Sequence, residues 1–402
     1  MNIVFVAPFL AENTQRFIAA AAEFGRIGLV TADSADRLDP ELRARIAAVA
    51  TLDGFDAGAV VRATKEIGRE LGDVDRMLSM LEQLQVTVAQ AREHLGLPGM
   101  HTEAALNFRD KARMKDLLRG AGLPCAKHRL VEDVMDGVDF ARTIDGPVVL
   151  KPVAGAGAKS TFRADDIDAV GHCLLGMKPS KANPVLLEEF VVGQERSFEV
   201  ISIDGEPVWH SLTHYSPPPL DAVRNPWIQW CVTLPREVDA PRYDDIREAG
   251  FAALRVLGMG TGLSHMEWFR RPDGSLAISE IAARPPGAQI MNLMSRHTET
   301  DFYRAWARLM TQGEFAPRER KWAAGVAFFR GIGPGRVARL TGLKAAQEAV
   351  GHLVVDTNLP KPGQPKSDSY EGEGWAVVRA PQTAAVDAAL RTLISTVRVE
   401  MG

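Results

Sequence analysis

The chain has 402 residues, 46% of them hydrophobic and 24% charged, with a formal net charge of −4. That is material for two or three packed domains, without the basic excess used to bind nucleic acid. No apolar run approaches the roughly 20 residues of a membrane helix, and Met1–Leu10 lacks the basic lead and small-residue cleavage site of a signal peptide. A soluble cytoplasmic protein is expected, with neither nucleic acid nor membrane as partner.

In chain order, Asn2–Ala7 reads as a strand and Asn13–Gly25 as a helix, with further strands at Ile27–Thr31 and Ala47–Leu52. This alternation argues a small parallel α/β sheet over the first 100 or so residues. A helix is expected over Val74–Leu95, stopped by Gly96-Leu97-Pro98-Gly99, and another over Arg109–Arg119. Helix Val134–Ile144 precedes strand Pro147–Lys151, and a helix from Asp165 to Met177 follows. From Pro184 the pattern turns to strands at Val185–Phe190, Arg196–Ile203 and Pro207–His214, with Asp204-Gly205 as a hairpin turn. Ser216–Pro226, with four prolines, reads as a loop. Helix Asp244–Leu257, strands Leu263–Arg270 and Ser275–Ile281, and helix Asp301–Thr311 complete the central region. The tail mixes strands with a final helix, Ala384–Val397.

Cys125, Cys173 and Cys231 form no CxxC or Cys/His ligand pattern, which reads as idle thiols in a reducing compartment. The histidines other than His265 lack metal spacing. Trp227 and Trp230 suit either a core or an apolar substrate wall.

Strand Val148–Pro152 carries Lys151 and opens into the glycine-rich stretch Ala154–Ser160. The P-loop pattern GxxxxGK[ST] fails there, because its two glycines fall at Val153 and Ala158. Backbone N–H groups at Gly155 and Gly157 still suit an anion; a plain surface loop is the competing reading. Val185–Glu195 is an apolar strand that abruptly gains acids at Glu188, Glu189 and Glu195, as a solvated strand end also would.

Glu267 and Glu280 are more informative. A two-residue loop at Asp273-Gly274 pairs Pro272 with Ser275 and, counting back, Glu267 with Glu280. Like charges facing each other across a ladder destabilise a hairpin, and a divalent cation between two carboxylates removes the conflict. The same parity puts His265 and Arg284 on that face. A three-residue loop with a bulge would shift the register and separate the carboxylates.

Lys111, Lys151, the glycine-rich loop, Glu188 to Glu195, and Glu267 with Glu280 stand in the order of the ATP-grasp superfamily, which the chain resembles over Asn107–Gln312. The resemblance implies a parallel pre-ATP-grasp α/β domain (1–100), an ATP-grasp domain (101–312) with a lid subdomain (about 128–190), and a small α+β C-terminal domain (313–402). It implies ATP and Mg²⁺ (or Mn²⁺) as cofactors. Lys111 and Lys151 correspond to the nucleotide lysines, with Gly155, Gly157 and Ser160 in the phosphate loop. Glu188, with the backbone at Phe190 and Val191, corresponds to the adenine hinge, and Glu195 to the ribose acid. Glu267 and Glu280 correspond to the metal ligands, although many relatives carry Asn where this chain has Ala282. Arg284 and Lys151 become the catalytic groups, and His265, Arg284, Gly287 and Ala288 the substrate contacts. The branch resembled is that of L-amino acid ligases and biotin-carboxylase-like enzymes. The expected activity joins a small-molecule carboxylate to an amine through an acyl phosphate, releasing ADP and phosphate. Alternatives are a bicarbonate-, formate- or ribotide-using enzyme of the same fold, and a non-catalytic nucleotide-binding protein. The resemblance leaves a homodimer open.

Overall fold

The computed structural model describes residues 1–153, 161–316 and 318–402. Its N-terminal unit runs β1 (Asn2–Val6), α1 (Glu12–Ala21), β2 (Arg26–Thr31), α2 (Pro40–Ala44), β3 (Ile46–Thr51), α3 (Ala57–Leu71), β4 (Arg76–Leu78) and α4 (Gln85–Leu95). The strands form a parallel sheet in the order β3-β2-β1-β4. Ile3, Val4, Phe5 and Val6 are all inaccessible, as a strand covered on both faces requires. The helix expected over Val74–Leu95 therefore begins only at Gln85. Met77 and Leu78 fill the core beside β1 as an edge strand. The apolar spacing runs unbroken through strand, turn and helix, which hides the boundary.

Two short helices follow, α5 (Thr102–Arg109) and α6 (Lys111–Gly120). The Asp110 side chain caps α6 by accepting from the N–H groups of Ala112 and Arg113. Next come β5 (His128–Val131), α7 (Val134–Ala141), β6 (Val148–Pro152), β7 (Phe162–Ala164), α8 (Ile167–Met177) and β8 (Val185–Glu189). They make an antiparallel sheet, β5-β8-β6-β7, over its own core of Phe140, Leu150, Val170, Leu174 and Leu187.

The remaining elements are β9 (Gln194–Ile203), β10 (Glu206–Ser216), α9 (Pro219–Arg224), β11 (Trp230–Leu234), α10 (Asp244–Leu257), β12 (Gly262–Arg270), β13 (Leu276–Ala282), α11 (Ile290–Thr298), α12 (Phe302–Gln312), β14 (Ala323–Phe329), β15 (Val337–Thr341), α13 (Leu343–Val350), β16 (Val354–Asn358), β17 (Gly374–Ala380), α14 (Thr383–Thr396) and β18 (Arg398–Met401). Eight of these strands form one antiparallel sheet in the order β13-β12-β9-β10-β11-β14-β17-β16. Three strands of the C-terminal stretch thus continue the central sheet through the β11–β14 pairing. The Asp204-Gly205 turn joins β9 to β10 with both residues at positive φ, the backbone that matches strand twist. The proline-rich stretch expected as a loop holds the short helix α9, where Pro219 occupies the first turn, a place that needs no N–H donor.

Strand β9 sets the two sides of the central sheet. Phe198 and Val200 pack with Ile246, Leu254 and Leu257 of α10. The alternate residues Glu195, Ser197 and Glu199 face the other way, and two sheets and the N-terminal unit meet over that polar side.

Candidate active site

A cavity of about 630 Å³ opens there. Each unit contributes: Glu82 from the N-terminal unit, Lys151, Glu188 and Phe190 from the β5–β8 sheet, Glu195, Glu267 and Glu280 from the central sheet, and Tyr370 from the C-terminal stretch. A separate crevice of about 40 Å³ beside Met259 and Met310 holds none of these groups.

The two carboxylates face each other, with Glu267 paired to Glu280. The turn differs from the two-residue loop expected. Arg271 N–H donates to the Ser275 carbonyl and Gly274 N–H to the Arg271 carbonyl, both at 2.9 Å. With Gly274 at φ +85°, this is a three-residue loop, Pro272-Asp273-Gly274. Arg270, Phe269 and Trp268 then pair with Leu276, Ala277 and Ile278, a register that by itself would set Glu267 against Ser279. An extra residue in β13, Ser279, bulges out and restores the opposition.

Charge is unequal across this pair. Lys111, at the first turn of α6, closes an ion pair on Glu280. Burial would raise the Glu280 carboxyl, but Lys111 and Lys151 outweigh it and hold it down at about 2. Glu267 is pushed up instead, by burial and by Glu280. His265 Nε2 lies 3.9 Å from it. His265 Nδ1 in turn lies 2.9 Å from Glu199. Glu199 is fully buried and also accepts from Ser197, Ser211 and Thr213 at 2.6–3.0 Å.

Glu188 does not stand free toward a ligand. Its carboxylate lies 2.8 Å from Lys151 Nζ and 3.4 Å from Lys115 Nζ. Burial opposes its ionisation, but Lys115 and Lys151 prevail and its carboxyl is lowered. Burial pulls Lys151 down, yet Glu188 and Glu280 hold its ammonium above the ordinary value. At the hinge, Phe190 N–H is already donated to the Pro147 carbonyl, and the Arg163 guanidinium sits 4.2 Å over the Phe190 ring. Val191 lines the same wall.

Strand β13 stops at Ala282, short of the continuation expected to carry Arg284. Arg284 still lines the cavity. Its Nε and Nη2 donate to Glu82 at 3.1 and 2.9 Å, and Glu82 also takes Arg109 at 3.2 Å. Glu195 is raised well above its ordinary range by burial, Glu267 and Asp221. Gly287, Ala288 and Tyr370 also line the cavity. Trp230 is a core residue, 1% exposed, with Tyr370 edge-on at 4.9 Å; Trp227 is exposed. Gly155, Gly157 and Ser160 lie outside the described residues.

Four groups escaped the sequence reading. Lys115 was legible in principle, one helical turn after Lys111 on an expected helix. Glu199 shares the parity of Glu195 on its strand. Glu82 and Tyr370 reach the cavity from distant segments, and no local pattern marks them.

No protein-family model matches the chain. Over 232 residues it is 26% identical to the L-arginine-specific L-amino acid ligase of Bacillus subtilis, a match covering 56% of this chain and 55% of that protein. The chain thus spans about half the length of this curated relative. It superposes on the L-amino acid ligase from Bacillus licheniformis with a TM-score of 0.77 at 18% identity, covering 100% of this chain and 98% of the other. Carboxyaminoimidazole ribonucleotide synthase from Aspergillus clavatus, complexed with ATP, superposes with a TM-score of 0.71 at 16% identity, covering 98% and 97%. The fold is that of the ATP-grasp enzymes.

Proposed function

We propose that the chain is an ATP-dependent carboxylate–amine ligase working through an acyl phosphate, with amino acids as its substrate class. The observation that carries this reading is the convergence of Glu267, Glu280, Lys111, Lys151 and Arg284 on one cavity. The likeness to two L-amino acid ligases supports the choice of substrates.

The carboxylate pair fits a divalent cation, Mg²⁺ or Mn²⁺. Glu267 carries a charge that Glu280, directly opposite, disfavours, and hard dications take oxygen donors. Among the described residues no group of three or more ligands is preassembled, so phosphate oxygens and water would complete the shell. When bound, the ion would neutralise phosphate oxygens during transfer.

A substrate carboxylate oxygen attacks the γ-phosphorus, forming the acyl phosphate and releasing ADP. The amine nitrogen then attacks the acyl carbon, phosphate leaves with the C–O bonding pair, and the nitrogen loses a proton. Lys151 and Lys111 oppose the phosphate charge. Arg284, oriented by Glu82, offers its remaining N–H groups to the acyl phosphate. Glu195 and the backbone around Val191 serve the nucleoside.

A ribotide acceptor fits less well. Among the described residues lining the cavity, the cations are Lys111, Lys151 and Arg284, which this reading gives to ATP and the acyl phosphate, and Arg163, which covers Phe190. Pro218, Leu220, Val223, Trp230 and Tyr370 also line the cavity, suited to an apolar side chain rather than a phosphate.

The test is a phosphate-release screen of paired amino acids with ATP and Mg²⁺, with mass spectrometry of products and chromatography of the spent nucleotide. ADP, phosphate and an amide product are expected. AMP as the main nucleotide product would overturn the acyl-phosphate route.

A further inference from the structure

Strand β13 is an edge of the eight-stranded sheet, and its outer side is met by α6 and the segment after it. Ile278 N–H donates to the Pro124 carbonyl at 2.8 Å. Ile281 N–H points to Met114 Sδ at 3.3 Å. Between them, Lys115 Nζ donates to the Ser279 carbonyl at 2.8 Å. Ser279 is the bulged residue, the one without a partner on β12. Lys111, Met114 and Lys115 share one face of α6, so a single helix holds Glu280 by its carboxylate and the preceding residue by its backbone.

The Lys115 side chain is wholly buried. A buried ammonium is costly unless its donors are used, and those of Lys115 meet the Ser279 carbonyl and Glu188. A one-residue slip in an antiparallel pair turns each side chain to the opposite face. Without the bulge, the three-residue loop would place Ser279 against Glu267 and turn Glu280 away from the cavity.

We infer that Lys115 is a positioning residue for the carboxylate pair: by holding the Ser279 carbonyl it keeps the bulge that seats Glu280 opposite Glu267. Its contact with Glu188 ties that register to Lys151, the lysine on the far side of the same carboxylate. Lys115 has no place among the groups that line the cavity, so it acts through the strand and not on a ligand. The part of this inference that concerns metal rests on the ligase reading; the register does not.

The test uses the full chain with Lys115→Met, which keeps an unbranched side chain one atom shorter and removes its donor. Amide exchange across Ser279–Ile281 is measured without metal or nucleotide and is expected to rise about tenfold, with α6 unchanged. Mn²⁺ binding in the presence of a non-hydrolysable ATP analogue, read by electron paramagnetic resonance, is expected to weaken about 10–100-fold. Metal-free nucleotide affinity should stay within about threefold, since Lys151 and Lys111 remain. Should Lys115→Met fail to fold, Lys115→Arg takes its place. It keeps the charge but moves the donors, and the same two readouts should shift in the same direction. Unchanged exchange at Ser279–Ile281 in the folded variant overturns the inference whatever the metal does. Exchange that rises equally through α6 assigns Lys115 to general stability and overturns it too. Failure of the wild type to bind Mn²⁺ would count against the metal reading while leaving the exchange result to judge the register.

Discussion

Glu267 and Glu280 face each other across β12 and β13, but only Glu280 has a lysine closed upon it. The pair is therefore one satisfied carboxylate and one strained one. Neutralising each should have opposite effects on stability. Glu267→Gln removes a charge that burial and Glu280 both disfavour, and a small gain in stability is expected, reduced by solvent screening because 38% of its side chain is exposed. Glu280→Gln strands Lys111. Its cost should fall below the about 3–5 kcal/mol of a fully buried broken pair, because 22% of the Glu280 side chain still faces the cavity. Both should lower Mg²⁺-dependent phosphate release, Glu280→Gln by about 100-fold or more. Urea melts beside turnover check this; equal stability changes of one sign would refute the asymmetry.

Glu82 reaches Arg284 from a segment 202 residues earlier in the chain. Glu82→Gln should leave nucleotide affinity intact and lower kcat/KM for the acid by about 10–100-fold, as misplaced catalytic groups do. Nucleotide binding by calorimetry separates the two effects. Loss of ATP affinity in parallel would assign Glu82 to the nucleotide instead.

The apolar part of the cavity lining should set which acids enter. Ala288 is buried at φ +51°, and Tyr370 shares the cavity lining with it. Tyr370→Ala should admit bulkier side chains, and Ala288→Trp should exclude them, with preferences moving by about 10–100-fold. The readout is the ratio of kcat/KM for large and small apolar amino acids. An unmoved ratio in both variants removes this wall from the specificity site.

Acid should unfold the protein partly through two histidines. Burial, with Arg196 and Arg242, pushes His214 down to about 3. Burial and Arg320 push His297 down to about 4. Both are neutral in the native chain. Below about pH 6.5 the unfolded chain binds protons that the native chain refuses, so stability falls as pH drops toward the folded values and levels beneath them. The upper bound is about 1.4 kcal/mol per pH unit for each histidine within that window. Urea melts at about pH 7 and about pH 5 should show a smaller loss in His214→Gln than in the wild type.

Strand–helix alternation, the Asp204-Gly205 turn and the order of lysines and acids were legible because each is local. The opposition of Glu267 and Glu280 was reached from the wrong loop: the turn has three residues, and the bulge at Ser279 compensates. Nothing within Leu276–Ala282 marks that bulge, since the donor that holds it sits on α6. Residues 74–84 read as helix because apolar spacing cannot separate a three-residue edge strand from the helix after it. Glu188 resembled a hinge acid, and only the fold brings Lys115 and Lys151 to either side of it.

Tyr370 belongs to a segment that is fastened at its own end. Glu373 accepts from the N–H groups of Gly331 and Ser367, and Arg330 donates to the carbonyls of Ile228 and Ala222. None of these anchors touches the lysines or the carboxylate hairpin. On the proposed function, an exchange of residues 361–373 would alter the wall around Tyr370 and the acids accepted while leaving Lys111, Lys151 and the carboxylate hairpin in place. The C-terminal stretch would in that case supply one part of the wall, Tyr370, while Trp230, Ala288 and α9, which lie before β14, supply the rest.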